Sequence, residues 1–188
     1  MAKESASPTR VTVRAVLSYV NVFSPYIDPK DPTGKGKYKC LLLIDKSDKA
    51  SVKKIQDAIK AVEAKMIIEK YAGKAPKKAI KNTFIDADAE KEGEEYEDRY
   101  CINVSKSAKP KLYDRRLREI TDEEEIYSGV IANVAIDFYY YWREDSKGIT
   151  ASLEAIQKVA DGEPLGASRV RAEDVFEVLE DEDIDELD

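Results

Sequence analysis

Histidine is absent from the 188 residues, only two cysteines are present, and no apolar run approaches the roughly 20 residues a membrane-spanning helix needs. Without imidazole there is no Ser-His-Asp or Cys-His nucleophile, no His-ligated zinc and no imidazole acid or base. Cys40 and Cys101 lack CxxC spacing and are too few for a disulfide framework, so reduced thiols packed in strands are expected. Met1 to Arg10 lacks the apolar stretch of a signal peptide, and a cytoplasmic location is the expectation. No Walker loop is present; Gly34-Lys35-Gly36-Lys37 places glycine and lysine in a loop without the fixed spacing. Asp86, Asp88, Glu90 and Glu92 lack the glycine and terminal glutamate of a calcium loop, and read as a solvated acidic segment. No nucleophile-and-base pair stands out. The expectation is a protein that is not an enzyme and that carries neither metal nor cofactor.

What is present is charge, in blocks. The chain holds 31 Lys+Arg against 38 Asp+Glu, a formal charge of −7. Residues 173 to 188 contain ten acids and no base, so the remainder has 31 basic against 28 acidic residues. The body is therefore slightly cationic and the end strongly anionic. Within the body, Lys46 to Lys81 carries eleven Lys against four acids, and Asn82 to Asp98 eight acids against Lys91. Arg99 to Arg118 carries seven bases against Asp114. Such blocks are ordinarily solvated faces.

The apolar pattern is that of a mainly β protein. Val11, Val13, Ala15, Leu17 and Tyr19 alternate with polar residues as a half-buried strand, and Ser24 to Gly36 reads as a Pro/Gly loop. Lys37 to Ile44 forms a second strand, apolar on both sides at Leu41 to Leu43. Ser47 or Asp48 caps a helix with its stripe at Val52, Ile55, Ile59, Val62 and Met66, stopped by Gly73 and Pro76. Asp86 to Asp98 shows no apolar period and reads as a loop. Tyr100, Ile102 and Val104 mark a third strand, and Leu112 and Tyr113 a short extension. Thr121 to Glu125 reads as a capped turn. The clearest strand puts Val130, Ala132, Val134, Ile136, Phe138, Tyr140 and Trp142 on the core parity, with Tyr139 and Tyr141 opposite. After a turn at Lys147-Gly148 comes a fifth strand from Ile149. Five strands, one substantial helix after the second and long loops predict a small closed barrel.

Binding a nucleic-acid strand needs cations that follow phosphates and flat rings on which bases stack. Aromatics do lie near bases here: Tyr26 before Lys30 and Lys35, Tyr38 between Lys37 and Lys39, Tyr113 between Lys111 and Arg115, and Tyr139 and Tyr141 ahead of Arg143. Two other readings stand beside this one: an interaction scaffold with a recruiting acidic tail, and a carboxylate-metal nuclease.

An ordered set of segments narrows the choice. Leu17-Ser18-Tyr19-Val20-Asn21-Val22-Phe23, Lys37 to Ile44, Tyr127-Ser128-Gly129, Asn133 to Tyr139, Lys147-Gly148-Ile149, Ile156-Gln157-Lys158 and Gly162-Glu163-Pro164-Leu165-Gly166 come in sequence. Together they resemble a phage-encoded family of single-stranded DNA-binding proteins, similar to the replication-type proteins of short-tailed phages. The resemblance implies an OB-fold barrel over residues 1–166, a groove crossed by aromatics and bases, and a flexible acidic tail at 167–188. The tail ends at Asp188, where many such tails carry an aromatic. The phosphate-contact candidates are Arg14, Lys35, Lys37, Lys39, Lys106, Lys109, Lys111, Arg115, Arg116 and Arg143; the stacking candidates are Tyr19, Tyr38, Tyr113, Tyr139 and Tyr141. Glu173, Asp174, Phe176, Glu180, Asp181, Glu182, Asp183, Asp185, Glu186 and Asp188 form the partner-binding tail in this reading. Single-stranded DNA is the expected ligand, with replication or recombination proteins reached through the tail, no membrane, and a homodimer left open.

Overall fold

The computed structural model describes residues 7–166; the acidic tail expected at 167–188 lies outside the described residues. Seven strands alternate with two helices: β1 (Arg10–Tyr26), β2 (Lys37–Asp45), α1 (Lys49–Lys70), β3 (Phe84–Asp86), α2 (Ala87–Glu90), β4 (Arg99–Lys106), β5 (Lys111–Tyr113), β6 (Ile131–Trp142) and β7 (Lys147–Ala160). The strand order is β3-β4-β2-β1-β6-β7-β5, and β4 also pairs with β7. That last pairing is parallel, with Val104 opposite Ala151, and it closes β4-β2-β1-β6-β7 into a ring of five. All other pairings in the ring are antiparallel. This is the connectivity of an OB barrel, whose ligand face in general lies on its second and third strands, here β2 and β4.

Period-two alternation decides what fills the barrel. Val13, Ala15 and Leu17 of β1, Cys40, Leu42 and Ile44 of β2, Ile102 and Val104 of β4, and Val134, Ile136 and Phe138 of β6 belong to one buried cluster. α1 adds Val52, Ile55, Ile59, Val62 and Met66 to that cluster and packs against β1, β6 and β7. Its N-terminus is held by the Asp48 carboxylate, which accepts from the Ser51 backbone N–H at 3.0 Å.

The expected elements are present, with shifts at their ends. β1 continues to Tyr26, beyond the expected break at Ser24. The β6–β7 turn occupies residues 143–146, where Arg143 N–H donates to the Ser146 carbonyl, and Lys147 and Gly148 already belong to β7. The capped turn expected over Thr121 to Glu125 is present at Glu123–Glu125, with Asp122 as its cap. Trp142 does not reach the core: the β6–β7 hairpin overruns the barrel end, leaving the indole 37% exposed against Tyr71. Tyr140 stays half-buried against the core, its hydroxyl donating to Glu69.

The acidic segment departs most from expectation. Instead of a solvated loop, residues 86–98 form α2 and a 3-10 turn at Glu94–Tyr96, and they bury Ala87 and Tyr96. These two side chains cover Leu41, Leu43 and Cys101, the outward-facing residues of β2 and β4, as a second apolar cluster. Two of the segments quoted above also meet. A Cβ on Gly129 would lie 2.1 Å from the Glu163 carbonyl oxygen, and one on Gly162 would lie 2.0 Å from the Gly129 carbonyl oxygen. Only glycine permits that approach. The Tyr127 hydroxyl bonds to Asp161 and Gly162, and Leu165 N–H donates to the Ser128 carbonyl, so residues 161–165 are tied to the start of β6.

Candidate nucleic-acid interface

The outer surface of β1, β2 and β4 is open above the acidic segment. Strand register places Asn21 opposite Lys39, Lys39 opposite Ser105, and Ser105 opposite Ser152, a row that crosses four strands. At one end of the row, Tyr19 sits in a β1 bulge between Ser18 and Asn21 with φ of 48°. A bulky residue in the left-handed region is a costly exception, of the kind found at ligand sites. The bulge turns the ring outward, where it is 66% exposed. Above the row, the Lys39 ammonium lies 3.2 Å from the centroid of the Tyr26 ring, and Tyr26 pairs with Lys37 across the strands. Lys109 approaches the Phe23 ring at 5.5 Å. Lys35, in the loop between β1 and β2, is exposed beside this group.

Below the row the acidic segment forms a wall. Lys46 holds it, with its ammonium 2.8 Å from Asp86 Oδ1 and 3.1 Å from Asp88 Oδ2. The hydrogen bond from Lys46 is the main cause that keeps the Asp86 carboxyl below its ordinary value. Burial, seconded by the influence of Tyr19, pushes the Tyr96 phenol up to about 12.

The residues singled out from sequence fall into separate groups. Tyr19, Lys35, Lys37, Lys39 and Lys109 gather at the open strip. Tyr38 follows the inward parity of β2 and is half-buried opposite Lys106. Lys106 is ion-paired with Glu154, and Lys111 lies 3.8 Å from Glu119. Tyr113 is half-buried on β5, opposite Gln157. Arg115 and Arg116 are exposed on a turn organised by Asp114, whose carboxylate accepts from the N–H groups of Arg116 and Arg118. That turn and the end of β7 border a cleft of about 980 Å³. Its other cations are already paired, Arg118 with Asp114 and Lys158 with Glu125 and Asp161. Arg14, Tyr139, Tyr141 and Arg143 belong to the far side of the ring, where Arg14 Nε donates to Asn133 Oδ1 at 3.0 Å. Tyr139 is 48% exposed there, and Tyr141 lies over Gly148. Sequence reading placed Tyr26 near lysines yet left it out of the candidates; the cross-strand contact with Lys39 brings it to the open strip. Tyr96 carried no signal beyond being an aromatic in an acidic stretch.

Fold and site together define an OB barrel with an aromatic and cationic strip on its first and second strands. The chain matches the family model described as "Enterobacter phage Enc34, ssDNA-binding protein" over residues 9–187, and it belongs to that family. It is 29% identical over 175 residues to "Putative protein p50" of Acyrthosiphon pisum secondary endosymbiont phage 1, covering 88% of this chain and 92% of the relative. Among solved structures it is similar to the single-stranded DNA-binding protein from bacteriophage Enc34, with 26% identity, 90% of each chain covered and a TM-score of 0.69. A structure of the Enc34 protein in complex with ssDNA shares the fold at a TM-score of 0.70 and 24% identity, over 84% of this chain and 90% of that one. So does gp2.5, the single-stranded DNA-binding protein of bacteriophage T7, at 0.59 and 16%, over 89% of this chain and 96% of that one.

Proposed function

We propose that this protein binds single-stranded DNA with little sequence preference and serves phage DNA replication, recombination or repair. The observation that carries the reading is the strip of Tyr19, Tyr26, Lys37 and Lys39, in which exposed rings neighbour lysines and the Lys39 ammonium lies against the Tyr26 ring. Rings of this kind stack on any base, and the ammonium groups follow the backbone, so discrimination is against duplex, whose base faces are hidden. Ser105 continues the row and supplies a hydroxyl for hydrogen bonds, while the Ser152 hydroxyl beside it donates to Glu154. Family membership and the likeness to the Enc34 protein support the same reading.

The acidic tail fits as a tethered competitor. Leu165 packs on the Leu41–Leu43 cluster, so the described chain ends on the face that carries the strip. Ten acids tethered there compete with phosphate for the same lysines, and replication or recombination partners take the tail once DNA displaces it.

The test is anisotropy of labelled oligothymidylate and of a duplex of equal length across a salt series. About four phosphate contacts give a log–log salt slope near −3, at roughly −0.7 per contact on single strands. Truncation after Ala172 raises affinity about tenfold at low salt, or ~1.4 kcal/mol, and the gain shrinks as salt screens both interactions. Equal affinity for duplex and single strand would remove the stacking argument, and weaker binding by the truncated chain would remove tail competition.

A further inference from the structure

The basic block from Lys46 to Lys81 takes no part in the strip described above, and its distal end has a definite place. Residues 70–81 contain Lys70, Lys74, Lys77, Lys78 and Lys81 and no acid. Both ends of this stretch are fixed to the β6–β7 hairpin. Lys70 lies 6.0 Å from the centroid of the Trp142 ring, and Tyr71 meets that ring edge-on at 5.2 Å. At the other end, the Lys81 carbonyl accepts from Ile149 N–H at 2.8 Å, and Asn82 bridges to Ile149. Lys147, from the hairpin itself, places its ammonium 4.2 Å from the Trp142 centroid.

Trp142 is the only tryptophan of the chain, and it is 37% exposed. A ring this large at a hairpin end, between two lysines, repeats the chemistry of Tyr26 under Lys39. Nearby acids are few: Glu69 is engaged by Tyr140 and Lys65, which leaves Glu144 and Asp145 in the hairpin turn. None of Lys70, Lys74, Lys77, Lys78, Lys81 and Lys147 forms an ion pair among the described residues. We propose that Trp142, Lys70, Lys147 and the lysines of residues 74–81 form a second platform for single-stranded DNA, which takes the strand after it has crossed the barrel face. The platform rests on the single-strand reading above and adds to it a length of bound strand. Lys147 hangs on a flexible stem over the indole; when its ammonium moves to a phosphate, the ring face it covers receives a base.

The position of the lone tryptophan makes the test direct. Oligothymidylates of about 6 and about 16 nucleotides, both within the range of site sizes for single OB folds, are bound to the full chain while anisotropy and Trp142 emission are read together. The expected result is binding of both lengths, with emission quenched by the longer strand only. Lys70→Gln combined with Lys147→Gln weakens the longer strand about tenfold and leaves the shorter unchanged. Trp142→Leu, which keeps an apolar contact for Tyr71, does the same. Binding of the longer strand with constant emission, and with unchanged affinity in the lysine variant, overturns the platform alone. Absence of binding at both lengths overturns the single-strand reading as well.

Discussion

The outward-facing side chains of β2 change character at its midpoint. Lys37 and Lys39 stand free beside Tyr26, whereas Leu41 and Leu43, next along the same face, are 3% and 1% exposed beneath Ala87 and Tyr96. The strand backbone is continuous, and the difference lies in what is laid over it. An OB face is thus divided into an open strip and a sealed floor, and the acidic segment that seals the floor also borders the strip. In the function proposed above, an anionic wall at that border repels phosphate and keeps a bound strand on the row through Lys39 and Ser105.

The comparison breaks most visibly on the sealed side. Leu43→Ala removes a side chain that is packed against Ala87, Tyr96 and Cys101. It is expected to lower stability by about 2–5 kcal/mol, the transfer term plus the cavity left behind. Denaturant unfolding measures the loss, and the folded variant keeps the single-strand affinity of the parent. Reduced affinity with normal stability would place the ligand on the floor instead.

On the open side the effects reverse. Tyr26→Ala is expected to weaken binding of single strands by about 1–3 kcal/mol, the range for one base–aromatic stack, with little change in unfolding. Tyr139→Ala makes the opposing control, since Tyr139 is exposed on β6, across the ring. Titration of both variants against one oligonucleotide ranks the two faces. A larger loss from Tyr139 would move the strand path to the β6 side.

Much of this architecture was legible in the sequence because alternation and helical spacing are local signals. Val134, Ile136 and Phe138 read as inward and are inward; the helix cap read as Ser47 or Asp48, and Asp48 caps. Trp142 misled because alternation tells which side of a strand a residue takes, while the barrel ends before β6 does. The acidic segment was opaque for another reason. It buries only Ala87 and Tyr96, nine residues apart on irregular backbone, so no period exists to be read. The hint lay elsewhere, in the two-sided apolar stretch Leu41 to Leu43, which demands a cover on the outer face. Site residues divided in the same way. Lys37 and Lys39 follow from strand parity, but the ion pair of Lys106 with Glu154, 48 residues on, is a product of topology.

Alkaline titration sharpens the picture of the wall. Burial, with Tyr19 as a second cause, holds the Tyr96 phenol up to about 12. A folded value above the unfolded one stabilises the wall fully below about pH 10, and that contribution is lost as pH rises from there through about 12. Phenolate absorbance should therefore show a step near pH 12 that disappears in Tyr96→Phe. Persistence of that step in the variant would assign it to another tyrosine and leave Tyr96 outside the wall.

The smallest effect concerns the clamp that holds the wall in place, and it should be invisible to global unfolding. Lys46 and its partners Asp86 and Asp88 are partly exposed, and pairs of that kind add little to overall stability. Local opening is a different quantity, because the wall can lift while the barrel stays closed. The two cysteines separate these events. Cys101 lies beneath Ala87 and Tyr96, whereas Cys40 lies inside the barrel, its thiol pushed up to about 12 by burial. In Lys46→Gln, a thiol reagent is expected to label Cys101 several-fold faster while Cys40 labelling and the unfolding midpoint stay as in the parent. Acid should act on the same clamp through Asp86, whose folded value lies below its ordinary 3.8. Its contribution is complete above that ordinary value and is lost as pH falls through the lowered one, so amide exchange in residues 87–98 rises at the acid end. Glutamine at position 46 removes that rise, because no ammonium remains to favour the carboxylate. Equal acceleration of both thiols would mean that the wall opens only with the barrel, and the two halves of β2 would then be one cooperative unit.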